Sequence, residues 1–578
     1  MKIQLGNMSM AISPDTEISL SLINPIFNDN GSFGIGITLP ATPGNLKQLG
    51  YPNRPERRVR IGSELPCSIT CGIIALYGTA IMQSISESGI EFDITLSEGD
   101  LYDTLDKIQL NQIVTKKTHY PSVTTTPDFF VDLTTSVSTD NGEYTAFELC
   151  TKITDTNGNV EFQIKNYTDS DGTYGTRNGK KYTGYSPFLY LHYVLSSVYS
   201  YFDLSQTNNP FASGELRKIV LLNNVSSSID AGWLKYENLV PDVSALELQT
   251  CIEDKFGCRF ILDYNKRSVR CVFLKDMHNS FATKDWSRKL NGKLYPTFSA
   301  AQKLRLSSGT SLEKAAPAFT NWRQWLANDS DEVLGYAELV NGSETISYVK
   351  KYGWFARRKS TGILEIKSTA YFSFSDSSDN EEVDITTIDE SVPMIDASYY
   401  TNLDYVNQYY PYFSVEQKNI AKTVDTELGS TNEASSVSCP IAFCFAQGFV
   451  PISYTSGYTV PTLGKRKPTG SPFGANLNTN PGTGDLQLGN LSLEWISSRG
   501  LFRTYYQEHN NFLKHANQIF KGSFILTQQD IVGLKWEEKV MINNQPYFID
   551  KIDITLLAND TIRTENIELR QSRLFDEA

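Results

Sequence analysis

The sequence is poor in the residues that most often do chemistry. Only five histidines occur in 578 residues, His119, His192, His278, His509 and His515, and they lie in unrelated contexts. Eight cysteines are too sparse for a disulfide scaffold. Cys67–Cys71 and Cys439–Cys444 are spaced C-x3-C and C-x4-C, with no second pair or nearby histidines to complete a zinc site. There is no G-x-S-x-G, no H-E-x-x-H, no P-loop and no C-x2-C pair. The 65 acidic residues are plentiful, yet nothing singles out two of them as a glycosidase pair. No catalytic residue, cofactor site or metal ligand is therefore assigned, and the expectation is a protein without enzymatic activity or cofactor.

Other absences narrow the class further. No run approaches the roughly 18–20 apolar residues of a membrane-spanning helix. The opening MKIQLGNMSMAISPDTEISL has one lysine and no apolar core of signal-peptide length, so synthesis in the cytoplasm without secretory export is expected. A formal net charge of −13 argues against a general nucleic-acid-binding surface, which would be basic.

What is present is apolar and aromatic. Hydrophobic residues make up 40% of the chain, with 31 Tyr and 30 Phe, enough for folded cores. Thr, Ser, Ile and Tyr are frequent and helical periodicity is rare, which predicts a mainly β protein with an α+β centre. The length predicts about three to five domains at roughly 100–200 residues each.

The best-specified stretch runs from Trp233 to Asp276. Ser244 and Glu247 form a capping-box pattern. Leu248, Cys251, Ile252 and Phe256 recur at helical spacing, and Gly257 stands where a left-handed stop is wanted. A helix over 245–256 is predicted, then strands over 258–264 and 269–274 joined by a two-residue turn at Lys266–Arg267. In that register Cys258, Phe260, Leu262 and Tyr264 share an apolar face with Val269, Cys271 and Phe273, so Cys251, Cys258 and Cys271 read as buried thiols rather than ligands.

Around this centre five segments are expected: an N-terminal β domain with an extended arm (1–115), a strand-rich insertion (116–184), a central α+β domain (185–290), a second β domain (291–435) and a C-terminal β-rich extension (436–578). In the first, residues 17–27 alternate and end at the turn Asn24-Pro25. The Gly/Pro-rich run from Gly31 to Arg58 reads as the arm, and Arg54, Arg57, Arg58 and Arg60 as a solvated basic face. Residues 75–85 and 90–96 form a hairpin with Ile90, Phe92, Ile94 and Leu96 on one face, followed by a short helix.

Further along, Phe188, Leu191, Leu195, Val198 and Phe202 make a helical stripe with Pro187 at its start. Asp169 and Asp171 resemble a calcium loop only loosely, since the glycine comes too soon and the closing glutamate is missing. Residues 291–330 read as an extended connection ending in a helix whose Trp322 and Trp325 belong to a core, though paired tryptophans also stack on sugars. A long exposed loop is expected over 456–487, and short strands carry Val540, Ile542, Tyr547, Ile549, Ile552, Ile554 and Leu556.

Two stretches give this order a precedent. One is the hairpin of residues 75–96 leading into GDLYDTL. The other is LVPDVSALELQ, DKFGCRFILD and VRCVFL in succession. Together they resemble the tail hub, or baseplate hub, proteins of bacteriophages and related contractile injection machines, in which an amphipathic helix, a Phe-Gly stop and a short hairpin recur in the middle domain. The closing FILTQQDIVGLKWEEKVMINNQPYFIDKI and the early ITLPATPGNLKQLGYPNR look similar to tail proteins of phages and prophages of gut bacteria. The resemblance implies β-barrel-like domains flanking the small helix-plus-hairpin domain. It also implies a homotrimer on the tail axis that links the tail tube to the tail tip and forms part of the genome-ejection channel.

Its implied partners are tail-tube, distal-tail, tape-measure and tail-tip proteins, and its implied location is the virion. Residues past about 430 exceed a minimal hub, and no lysozyme or peptidase module is recognisable. Two further readings stay open: a carbohydrate-binding or glycan-degrading tail component, suggested by Trp322, Trp325 and Trp354, and a distal-tail or receptor-binding protein.

Overall fold

The structure is a computed structural model. It describes residues 1–27, 34–54, 64–87, 89–119, 142–154, 160–164, 176–177, 180–181, 185–225, 229–230, 233–263, 266–298, 302–308, 339–341, 344–351, 354–358, 364–368, 372–373, 381–390, 394–396, 409–416, 437–451, 466–471, 500–515 and 518–572, with single positions at 56, 392, 418, 491, 493 and 495. The fold is mainly β, built of several sheets around an α+β centre.

The centre forms as its local signals dictate. The central helix spans Ala245–Phe256, and both bonds of the capping box are made: Glu247 N donates to Ser244 Oγ, and Ser244 N to the Glu247 carboxylate. Gly257 ends the helix at φ 55°, a conformation that costs a side-chain-bearing residue energy. Strands Cys258–Asp263 and Ser268–Phe273 pair antiparallel, with Cys258 opposite Phe273 and Phe260 opposite Cys271. Phe260, Cys271 and Phe273 are buried with the helix stripe, while Leu262 is half-buried. Each large side chain taken from water contributes roughly 1.5–3 kcal/mol.

Two details differ from expectation. The last strand pair is Asp263–Ser268, so four residues rather than two make the connection. Arg267 takes a positive φ there, and Lys266 N donates to Asp263 Oδ1. Leu274, expected on the strand, opens the helix Leu274–Asn279, whose first amide donates to Gly257 O.

The N-terminal sheet has the strand order Met8–Met10, Lys2–Leu5, Leu65–Cys71, Ile74–Ile85, Ile90–Leu96, Gly34–Leu39. The expected hairpin is present, with Ile90, Phe92 and Ile94 buried. Within it Gly78 is required by close approach, since a Cβ there would sit 2.1 Å from Thr95 O. The extended arm is not what Gly34–Leu39 forms. Ile35, Ile37 and Leu39 alternate inward, and the segment becomes an edge strand on Ile90–Leu96, followed by the helix Pro43–Gln48. Its glycines lie on the outward positions, and that alternation outweighs the Gly/Pro content.

A seven-stranded terminal sheet joins both ends of the chain. Its path runs Ala282–Asp285, Lys539–Ile542, Gln545–Leu557, Ile562–Gln571, Gln518–Phe524, Leu290–Phe298, and Glu17–Ile23 also pairs with Gln545–Leu557. The two-residue turn Asn543-Asn544, both at positive φ, matches the twist of a tight hairpin. One apolar core then unites Ile3, Leu5, Phe92 and Ile94 with Phe524, Ile552 and Leu569. Leu290–Phe298 is thus a paired strand rather than an open connection.

Other expectations change as well. Pro187 lies inside the strand Tyr185–Leu189, and the helix starts later, at Leu191–Tyr201. Among the described residues that strand belongs to a two-stranded pairing with Tyr144–Glu148, and at the border of such a pairing a residue lacking N–H is tolerated. Within the expected 456–487 loop, Arg466–Ser471 is a strand on Phe443–Pro451. Asp169, Asp171, Arg57, Arg58, Arg60, Tyr264, Trp322 and Trp325 lie outside the described residues.

Candidate functional site

The chemistry-bearing side chains gather where the central helix, the hairpin and the terminal sheet meet. Hydrophobic periodicity places the central helix's apolar stripe inward, and this carries polar neighbours of the stripe into the interior with it. Glu253 is one of them. Its carboxylate accepts from Phe260 N at 2.8 Å and from Gln249 Nε2 at 3.3 Å, and Gln249 Oε1 in turn accepts from Tyr199 Oη at 2.9 Å. Burial pushes the Glu253 carboxyl up to about 7, against the opposing pull of Arg259 and the Phe260 amide.

Two residues on, Lys255 reaches Asp389 at 2.7 Å with both side chains buried, and its ammonium lies over the Trp495 ring. Arg259 stands 3.4 Å from Asp254, whose carbonyl accepts from Tyr506 Oη. Tyr505 and Tyr506 come from the π-helical turn Phe502–Tyr506, which presses on Gly257 where a Cβ would lie 3.1 Å from the Tyr506 ring. Burial raises the thiols of Cys251 and Cys258 well above the usual cysteine range, so both stay protonated and poor nucleophiles. Among the described residues no group of three or more His, Cys, Asp or Glu is arranged to hold a metal ion.

A second polar centre lies at the terminal sheet. His278, on Leu274–Asn279, meets His509, on the helix Gln507–His515, with Nε2 and Nδ1 3.0 Å apart. The His278 ring packs against Phe512 and stands perpendicular to Phe548. Lys539 is buried beneath it and donates to the carbonyls of His278 and Ser280 at 2.7 and 2.8 Å. Arg270 of the hairpin makes a two-point pair with Glu537 at 3.0 and 2.9 Å. Asn24, fully buried, donates to Ile549 O at 2.7 Å and Trp536 O at 3.2 Å, and accepts from Ile26 N.

These groups act as joints. The contacts Lys255–Asp389, His278–His509, Arg270–Glu537 and Asn24–Ile549 tie segments far apart in sequence, and each carboxylate named here has a cation or an amide against it. Electrostatically the arrangement supports fixed geometry between the centre and the sheets. The sequence singled out neither the His278–His509 pair nor the Lys255–Asp389 pair, which are 231 and 134 residues apart. One signal for the first was available: His509, Phe512 and Leu513 fall at i, i+3 and i+4, and all three are buried. For Asp389 there was none.

No protein-family model matches the chain, and no curated protein does. Among solved structures the chain is similar to the 43 kDa tail protein of prophage MuSo2 from Shewanella oneidensis. The TM-score is 0.33 at 9% identity, over 99% of this chain and 98% of that one. A likeness that slight carries no argument about function.

Proposed function

We propose that the chain is a structural protein of a bacteriophage tail, a hub that joins the tail tube to the tail tip and lines part of the genome-ejection channel. The observation that supports this reading is the unit from Ser244 to Phe273. A boxed helix, a Phe256-Gly257 stop and an antiparallel hairpin follow one another there. That is the order the hub resemblance implies for a middle domain. Flanking β sheets on both sides of this unit agree with the same plan.

A hub has a symmetry problem to solve. The tube above it is sixfold and the tip below is threefold, so a trimer whose subunits each contribute two similar β domains meets both. In this proposal parts of residues 60–170 and 290–430 supply the two domains, and the strands of 518–571 close the terminal sheet against Glu17–Ile23 and Leu290–Phe298. The partners are then tail-tube, distal-tail, tape-measure and tail-tip proteins, and the chain itself carries no catalytic step. Copy number and position in the intact particle test the reading. Three copies on the tail axis are expected; six or more, or a location at fibre tips or capsid, would overturn it. Binding of purified protein to defined sugars on a glycan array would favour the receptor-binding alternative.

A further inference from the structure

We propose that the His278–His509 contact is an acid-sensitive latch that holds the helix Gln507–His515 against Leu274–Asn279, and that acidification releases this helix while the sheets remain folded. The geometry carries the argument. With Nε2 and Nδ1 3.0 Å apart, one ring must donate and the other accept, which requires at least one acceptor nitrogen free of a proton. A single added proton on an outward nitrogen leaves the contact intact. A second makes both facing nitrogens donors, and the attraction becomes repulsion between two buried cations.

The surroundings oppose both protons. From the strand Lys539–Ile542 comes Lys539, held under His278 by its two carbonyl acceptors. From Ile562–Gln571 comes Arg570, and from the hairpin Arg259, both raising the cost of a charge on His509. The buried carboxylate from Gln545–Leu557, Asp550, lies 2.9 Å from Arg570. Asp276 and Glu508, on the two latch helices, point to solvent. Phe512 and Phe548 pack against the His278 ring, and the strand Gln302–Ser308, whose Arg305 lies 3.4 Å from Asp384, packs beside Gln507–His515. Burial, the neighbouring His509 and Lys539 hold His278 well below the usual histidine range, and burial with Arg259 and Arg570 brings His509 down to about 3. Both rings are therefore neutral in the fold. Their contact is fully present above the ordinary histidine value of about 6.5 and is lost as pH falls toward the folded values.

Amide hydrogen exchange of the full chain between pH 7.5 and 4, corrected for intrinsic pH dependence, tests this. Protection of 507–515 is expected to fall about tenfold or more relative to 545–571 over that range. The double variant His278→Gln/His509→Gln, in which amides replace the rings, should lose that selective pH dependence. Should it fail to fold, the wild-type profile still decides. Protection of 507–515 that is unchanged at pH 4, or that falls only in step with 545–571, overturns the proposal. So does titration of all five histidine rings near the ordinary value in protein with labelled histidine.

Discussion

Lys255 Nζ and Asp389 Oδ2 lie 2.7 Å apart in the interior although 134 residues separate them. The pair anchors the segment around Asp389 to the central helix, and the Trp495 ring covers the ammonium. Removing one partner leaves the other charge in a dry site, which typically costs about 3–5 kcal/mol. Lys255→Met is therefore expected to destabilise by that amount. The double variant Lys255→Met/Asp389→Leu should recover most of it, because two apolar groups need no partner. Chemical denaturation of the four proteins measures the coupling; equal losses in the single and double variants would refute it.

The end of the central helix gives a second test. Gly257 sits at φ 55° with the Tyr506 ring 3.1 Å from where a Cβ would be. Gly257→Ala combines a left-handed alanine, about 1–2 kcal/mol, with a contact the π-helical turn must yield to. Ser244→Ala at the other end loses a capping bond alone, about 1 kcal/mol. The glycine variant should show the larger drop in Tm. The reverse order would mean that the turn at Phe502–Tyr506 moves freely.

Glu253 makes stability depend on pH in the opposite sense to the histidines. Its folded value of about 7 exceeds the usual 4.5, so the fold holds its proton more tightly than the unfolded chain does. Its contribution is fully present below about 4.5 and is lost as pH rises through about 7. Glu253→Gln keeps an acceptor for the Phe260 amide without the charge. Relative to the wild type, this variant should gain stability from pH 4.5 to about pH 7 and level off above it, read from denaturation midpoints. A difference that stays flat across that range would show that the carboxylate is charged throughout.

The elements legible in the sequence were those written in local signals. Ser244, Glu247 and Gly257 set both ends of one helix within fourteen residues, and the alternation of Ile90, Phe92 and Ile94 set one strand face. Partners set by long-range pairing were not legible. Ser19 faces Thr555 across the terminal sheet at a separation of 536 residues, and nothing near either residue announces it. Pro187 and Gly34–Leu39 misled for a related reason, since residues that break an isolated element are tolerated on an edge. The buried polar joints were hidden because Lys255, Asp389 and His278 become informative only beside their partners. The proposed tail role rests on a resemblance in residue order, which no single chemical group encodes.

The turn at Asn24 offers the sharpest substitution. The side chain is fully buried, its amide nitrogen donates to two carbonyls, Ile549 O and Trp536 O, and its oxygen accepts from Ile26 N. It thus bonds the residue just before Pro25 to the longest strand of the terminal sheet. Asn24→Ala removes these bonds and leaves buried carbonyls short of a donor, at about 1–3 kcal/mol. Asn24→Asp has nearly the same shape but places a carboxylate against two carbonyl oxygens. Repulsion and desolvation then raise its folded pKa, so at neutral pH the aspartate variant should be less stable than the alanine one. The sign with pH follows. An acid whose folded pKa is raised regains stability as pH falls, fully below the unfolded value of about 3.9. Midpoints for the two variants, measured from pH 7.5 down to pH 4.5, should converge because the protonated side chain can donate to one of the carbonyls. If the aspartate variant matches the wild type at neutral pH, the two donor bonds of Asn24 do not hold this turn to the sheet.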